Sequence, residues 1–329
     1  MPGLLSALLP IVFAQQAVSM PAAQATRFVV DLSNDSSTGV CRANRSSSGR
    51  CNLRAAVRAA AATHGAVEID LAVDSVVSGG EMAIDAPAQL TIVASGPRQI
   101  VGSQSSRLFT VGSAVTLVLH DVTVKNFATM DYGGALVNHG DLELLTTTFS
   151  DNQARCSGGG VQSASAYCGG GAISNDGLLT IRSGSVFENN TVDAQASTAT
   201  FTYSSASGGA IVSNGSVIVD GPVFFMNNQV RATSTSGWHP IPAGGANASA
   251  GGGAIYNGGG RLEFVPSGIR GCVFASNAAT AEASSPVAPG SATSVGGAIV
   301  SQGTLILQPG ACTFVGNQAQ TDPDVHVQP

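Results

Sequence analysis

At 329 residues the chain is long enough for two ordinary domains or for one continuous solenoid. Only 10 % of its residues are charged and 41 are glycine, which argues against a long disordered chain and suits many short strands joined by turns. A net charge of −6 with a single lysine, Lys125, leaves no basic footprint, so no nucleic-acid partner is expected.

The N-terminus carries an apolar run at 4–14, short of the roughly 20 residues that span a bilayer. Ala23-Gln24-Ala25 follows as a small-x-small cleavage site, so residues 1–25 read as a secretory signal peptide, although no Lys or Arg precedes the run. No later stretch reaches transmembrane length, and the mature chain is expected to have no transmembrane segment. Residues 26–65 read as a strand (27–32), a polar loop between Cys41 and Cys51, and an Ala-rich helix with Asn52 as N-cap. Leu53, Val57 and Ala60 fall on one face of that helix, which can cover the open end of a solenoid. From 66 onward come short strands of period 2 punctuated by Gly and Pro.

From 133 a pair of motifs recurs. Gly-Gly-Ala plus an apolar residue begins at Gly133, Gly170, Gly208, Gly252 and Gly296. Each copy is followed by Phe-x-x-Asn: Phe149/Asn152, Phe187/Asn190, Phe225/Asn228 (or Phe224/Asn227), Phe274/Asn277 and Phe314/Asn317. Between them lie inward-facing pairs such as Leu142/Leu144 and Leu179/Ile181, alternating with a variable outward residue. Three strands per repeat, stacked in register, describe an all-β, right-handed parallel β-helix (solenoid) with a short N-terminal capping helix. The β-helix is expected over 66–320, leaving 321–329 as a C-terminal tail. Asn138, Asn175, Asn214 and Asn257, with Gln302 in the fifth copy, are expected to form one amide ladder, and the Phe-x-x-Asn asparagines a second. Recurrence in every repeat marks these residues as scaffold, and no catalytic residue is assigned among them.

Six cysteines fit an oxidising destination. Proximity in sequence pairs Cys41 with Cys51 and Cys156 with Cys168 as loop-closing disulfides. Cys272 and Cys312 each precede a repeat Phe by two residues and stack either as thiols or as a third bridge. No CxxC or histidine pair accompanies them, so no metal and no cofactor is expected. Asn34, Asn44, Asn189, Asn214 and Asn247 stand in Asn-x-Ser/Thr sequons.

The paired Gly-Gly-Ala-Ile and Phe-x-x-Asn motifs resemble the polymorphic outer-membrane-protein repeat over 133–317. Cys51-Asn52-Leu53-Arg54-Ala55-Ala56-Val57 is similar to the Cys-Ser-Leu-Arg-Glu-Ala-Ile segment that opens many secreted β-helix proteins. The resemblance implies secretion or surface display and adhesion. The family's best-known adhesins carry a C-terminal membrane β-barrel, whereas this sequence ends directly after the last repeat, so self-anchoring is not expected.

The longest insertions, 153–169, 191–207, 229–251 and 278–295, fall at one point of the repeat and are expected to project as loops from one side. Per-repeat insertions often form the binding face. They hold Tyr167, Phe201, Tyr203, Trp238 and His239, which suit a glycan or protein partner. The bland alternative is a set of solvated spacers. The enzymatic rival, a pectin-lyase-like polysaccharide lyase or glycoside hydrolase, would need carboxylates to converge. Asp121, Lys125, Asp131, His139, Asp141 and Asp151 are the densest candidates, and their spacing sets none of them together.

Overall fold

The computed structural model describes residues 25–45, 50–198, 200–237, 245–265, 271–286 and 288–328. The signal-peptide reading therefore lies, apart from Ala25, outside the described residues. The chain is a parallel β-helix whose turns stack in register along three walls. The first turns are laid down by Thr26–Val30, Ala66–Leu71, Gln89–Gly102 and Thr116–Lys125, each paired in parallel with the next. The last two are long because each runs along two walls, bending at a positive φ, Gly96 in one and Asp121 in the other. Afterwards the two walls are separate strands, such as Asp141–Leu145 and Thr148–Ser150. The third wall stacks eight strands, from Met82–Ile84 to Val325–Val327.

Apolar residues at alternate positions fill the interior. Leu117, Leu142, Leu179, Val217 and Leu262 form one buried file, and the repeat phenylalanines another. Rings of Phe149, Phe187, Phe225, Phe274 and Phe314 stack at centroid distances of 5.4, 5.0, 4.6 and 5.2 Å, which settles the third copy as Phe225/Asn228. Behind each ring the buried asparagine donates Nδ2 to the next turn's Oδ1, at 3.0 Å in every step from Asn152 to Asn317. The residue before each ladder asparagine is left-handed: Asp151, Asn189, Asn227, Ser276 and Gly316, at φ between 54° and 62°. Asn, Asp and Gly tolerate that region best, which is why the second x of Phe-x-x-Asn is short and polar.

The other ladder differs from its expected membership. It runs Asn138, Asn175, Ser213, Asn257 and Ser301, the register being fixed by strand pairing. Asn214 and Gln302 stand one residue further on, because Val212-Ser213 and Val300-Ser301 occupy the two places before them. In Gly-Gly-Ala the first glycine has a positive φ in each copy (57–69°). A Cβ on the second would collide with the carbonyl oxygen of the next turn, that of Gly253 in the case of Gly209.

The helix Leu53–Ala61 buries Leu53, Ala56, Val57 and Ala60 against the first turn, and the Asn52 side chain accepts from the Ala55 amide at 2.9 Å. Arg54 holds the helix down. It donates to Asp35 at 2.7 and 3.0 Å and to the Gly80 carbonyl at 2.6 Å, while Asp35 also receives the amides of Ser78 and Gly79. At the opposite end, residues read as a tail carry the strand Val325–Val327, which pairs with Ile299–Ser301. Disulfides join Cys41 to Cys51, Cys156 to Cys168, and Cys272 to Cys312, the last pair being register partners on adjacent turns.

The four insertions project from one side, but as strands rather than loops. Each runs out and back as two arms: Gln153–Gly160 with Ser163–Gly169, Thr191–Thr198 with Phe201–Ser207, Gln229–Ser236 with Gly245–Gly251, and Ala278–Ser284 with Ser291–Val295. Outgoing arms pair with outgoing arms, the first also with Ala128–Thr129 at its base, and returning arms with returning arms. The result is a two-layered fin beside the solenoid. Its core is a second apolar cluster made almost wholly of alanine, with Val192 and Val230 near its base. Cys156–Cys168 crosses between the layers, so this disulfide staples the fin rather than closing a loop. Low strand propensity of Ala, Ser and Gly disguised these arms in the sequence; burial between the layers overrides it.

Candidate functional site

Where the returning layer of the fin meets the third wall, the chain forms an open cleft of about 380 Å³. Its line of junction is small: Gly169, Ser207 and Gly251 are consecutive partners in the stack. A Cβ on Gly251 would lie 3.4 Å from the ring of Tyr256, an ordinary contact distance that places this ring across the floor. One side is formed by outward residues of the returning arms, Tyr203, Ser205 and Ser249. The other is formed by Val212 and Tyr256 of the third wall and by Asn214, Gln302 and Gln328 in the turns that follow it. Gln302 donates to Gln328 at 2.6 Å.

All four tyrosines of the chain gather here. Tyr132 and Tyr203 line the N-terminal part, and Tyr167 leans on Tyr203 with ring centroids 5.4 Å apart. Burial, then the neighbouring Asp131 carboxylate and the Tyr167 phenol, push Tyr132 above the ordinary 10.0. Tyr256 is raised by burial above all, with Tyr203 and Tyr132 adding to the rise against a Gln302 hydrogen bond that favours the ionised form. These mutual effects tie the phenols into one cluster. Their hydroxyls stand on flat apolar rings, set among serine hydroxyls and side-chain amides. Among the described residues no charged side chain lines the cleft.

Of the residues singled out in the sequence, Tyr167 and Tyr203 are brought together. Phe201 lies on the same outer face, two residues further towards the tip of the fin, and is 47 % exposed. Trp238 and His239 lie outside the described residues. Tyr132, Tyr256, Asn214 and Gln302 were not picked out as a site. Their signal was positional: Tyr132 directly precedes one Gly-Gly-Ala, and Tyr256 directly follows the Ile of another.

The acidic candidates are not assembled. Asp121 and Asp151 occupy left-handed bends, both at φ 56°. Asp131 meets Arg107 at 3.5 Å and His139 meets Asp176 at 3.4 Å. On the opposite outer face Arg182 bridges Glu143 (2.9 Å) and Asp220 (2.6 Å) across three turns, an ionic ladder in solvent. Among the described residues no group of three or more His, Cys, Asp or Glu is placed to hold a metal ion. A larger cavity of about 460 Å³ lies on the fin's other side, between Gln104-Ser105, Met130 and Arg155/Asp193. It marks the step where the first full-length outgoing arm extends past Ala128–Thr129, with which it pairs only at its base. No protein-family model, curated protein or solved structure matches the chain.

Proposed function

We propose that this chain is a secreted or surface-displayed, adhesin-like β-helix protein of the polymorphic outer-membrane-protein repeat type, binding an extracellular glycan or protein through the side that carries the fin. The observation behind this reading is the gathering of all four tyrosines on that side, in a chain with few aromatics. Tyrosine provides contact area at low entropic cost and a polar end for orientation. Three disulfides suit an oxidising compartment, and no helix among the described residues is long and apolar enough to cross a membrane. The test is a glycan array and a cell-binding assay on the full chain, run beside a reducing-sugar release assay. Binding without release is expected. Release of reducing ends would replace this reading with the lyase or hydrolase one.

A further inference from the structure

We infer that the cleft between the returning layer of the fin and the third wall is a binding groove for an uncharged polysaccharide strand lying along the solenoid axis, an inference that rests on the binding reading above.

The first argument is charge. Among the described residues the lining consists of tyrosines, serines, side-chain amides and small apolar residues, without a single carboxylate, guanidinium or ammonium. An acidic polymer or a nucleic acid would have to leave water with no cation to meet it, at a desolvation cost that nothing in the groove offsets. A neutral sugar chain carries no such cost. Its hydroxyls match Ser205, Ser249, Asn214, Gln302 and Gln328, and its apolar ring faces match Tyr203 and Tyr256.

The second argument is shape. The lining extends from Tyr132, directly before the first Gly-Gly-Ala, to Gln328, directly after the last strand of the wall, so the groove crosses many turns rather than closing around a small molecule. Its walls repeat, because Ser205 and Ser249 are register partners on adjacent arms and so are Tyr203 and Asn247. Adjacent strands stand about 4.8 Å apart. A surface that presents equivalent positions at a fixed step suits a polymer of equivalent units. A folded protein partner would meet an open furrow lined mainly by hydroxyls and amides, with little apolar surface to bury.

The third argument is that the rings are held ready. Tyr203 is backed by Tyr167, and Tyr256 lies over Gly251 with Gln302 beside it. Little side-chain ordering remains to be done on binding.

The experiment is titration calorimetry of the full chain against neutral hexasaccharides of glucose, xylose, mannose and galactose, with polygalacturonate as the acidic control. At least one neutral series is expected to bind, with longer oligomers binding more tightly and polygalacturonate not competing. Tyr203→Ala and Tyr256→Ala should each weaken binding about tenfold, and Ser249→Trp, which fills the groove, should abolish it. Arg182→Ala, on a wall away from the cleft, should leave it unchanged. Each variant is checked for an unaltered Tm. Equal binding by the folded tyrosine and Ser249 variants, preference for polygalacturonate, or silence from every neutral series would overturn the inference. If cells are still bound while every neutral series is silent, the adhesive reading stands without the glycan groove; if nothing is bound, both fall.

Discussion

Asn228 shows how much a single buried side chain does in this architecture. Its Oδ1 accepts from both the backbone and the side chain of Asn190, and its Nδ2 donates to the Phe187 carbonyl and to Asn277. Asn228→Ala strands donors above and an acceptor below in a site with no exposure, each costing about 1–3 kcal/mol. A loss of at least ~3 kcal/mol in urea unfolding is expected. Its neighbour Asn227, at φ 54°, behaves in the opposite way. Asn227→Gly should be neutral or slightly stabilising, whereas Asn227→Val should cost about 1–2 kcal/mol, because a β-branched residue resists the left-handed region. Equal effects of Asn227→Gly and Asn227→Val would contradict the turn assignment. The ladder through Asn228 was legible because Phe-x-x-Asn keeps a constant internal spacing. The ladder through Asn175 was misread at two steps, because Ser213 and Ser301 replace asparagine and a neighbouring Asn or Gln invites a shift of one residue.

At the scale of elements, the capping helix is fastened by a charged contact as well as by its apolar face. The Asp35 side chain is 1 % exposed and that of Arg54 is 15 % exposed. Burial alone would raise the Asp35 pKa, but Arg54 and the amides of Gly79 and Ser78 outweigh it and hold it below the ordinary 3.8. A depressed carboxylate pKa contributes stability that is fully present above the unfolded value and is lost as pH falls through the folded one. The cap should therefore stay docked at neutral pH and loosen below about pH 3.8, ahead of the turns behind it. Hydrogen exchange of the helix amides as a function of pH reads this out. Asp35→Asn should cost about 1.5–3 kcal/mol at neutral pH and remove that acid step; an unchanged step would assign it to another group. The helix itself was readable from Asn52 and the spacing of Leu53, Val57 and Ala60. The Asp35 clamp was not, since 19 residues and a disulfide loop separate it from Arg54. The arms of the fin read as loops, because their alanine alternates with polar residues and such alternation specifies a strand only when a second layer arrives to bury it.

For the molecule as a whole, every turn from Asn152 onward adds the same three things together: a rung of the core, a step of the ladder and one arm on each layer of the fin. Length of groove thereby follows the number of turns, as marks on a gauge follow the rod that carries them, while the chain used per turn varies from 38 to 49 residues. The interval from Asn190 to Asn228 is 38 residues, and so is the interval from Asn152 to Asn190. A tandem copy of residues 191–228 should therefore splice in without a change of register, adding one arch and about 4.8 Å of groove. Circular dichroism should show undiminished strand content, and small-angle scattering a particle longer by that step. The oligosaccharide length at which affinity levels off should move up by about one sugar unit. No other part of the chain need change for this to happen, so duplication of a single repeat is a direct route from one ligand length to the next.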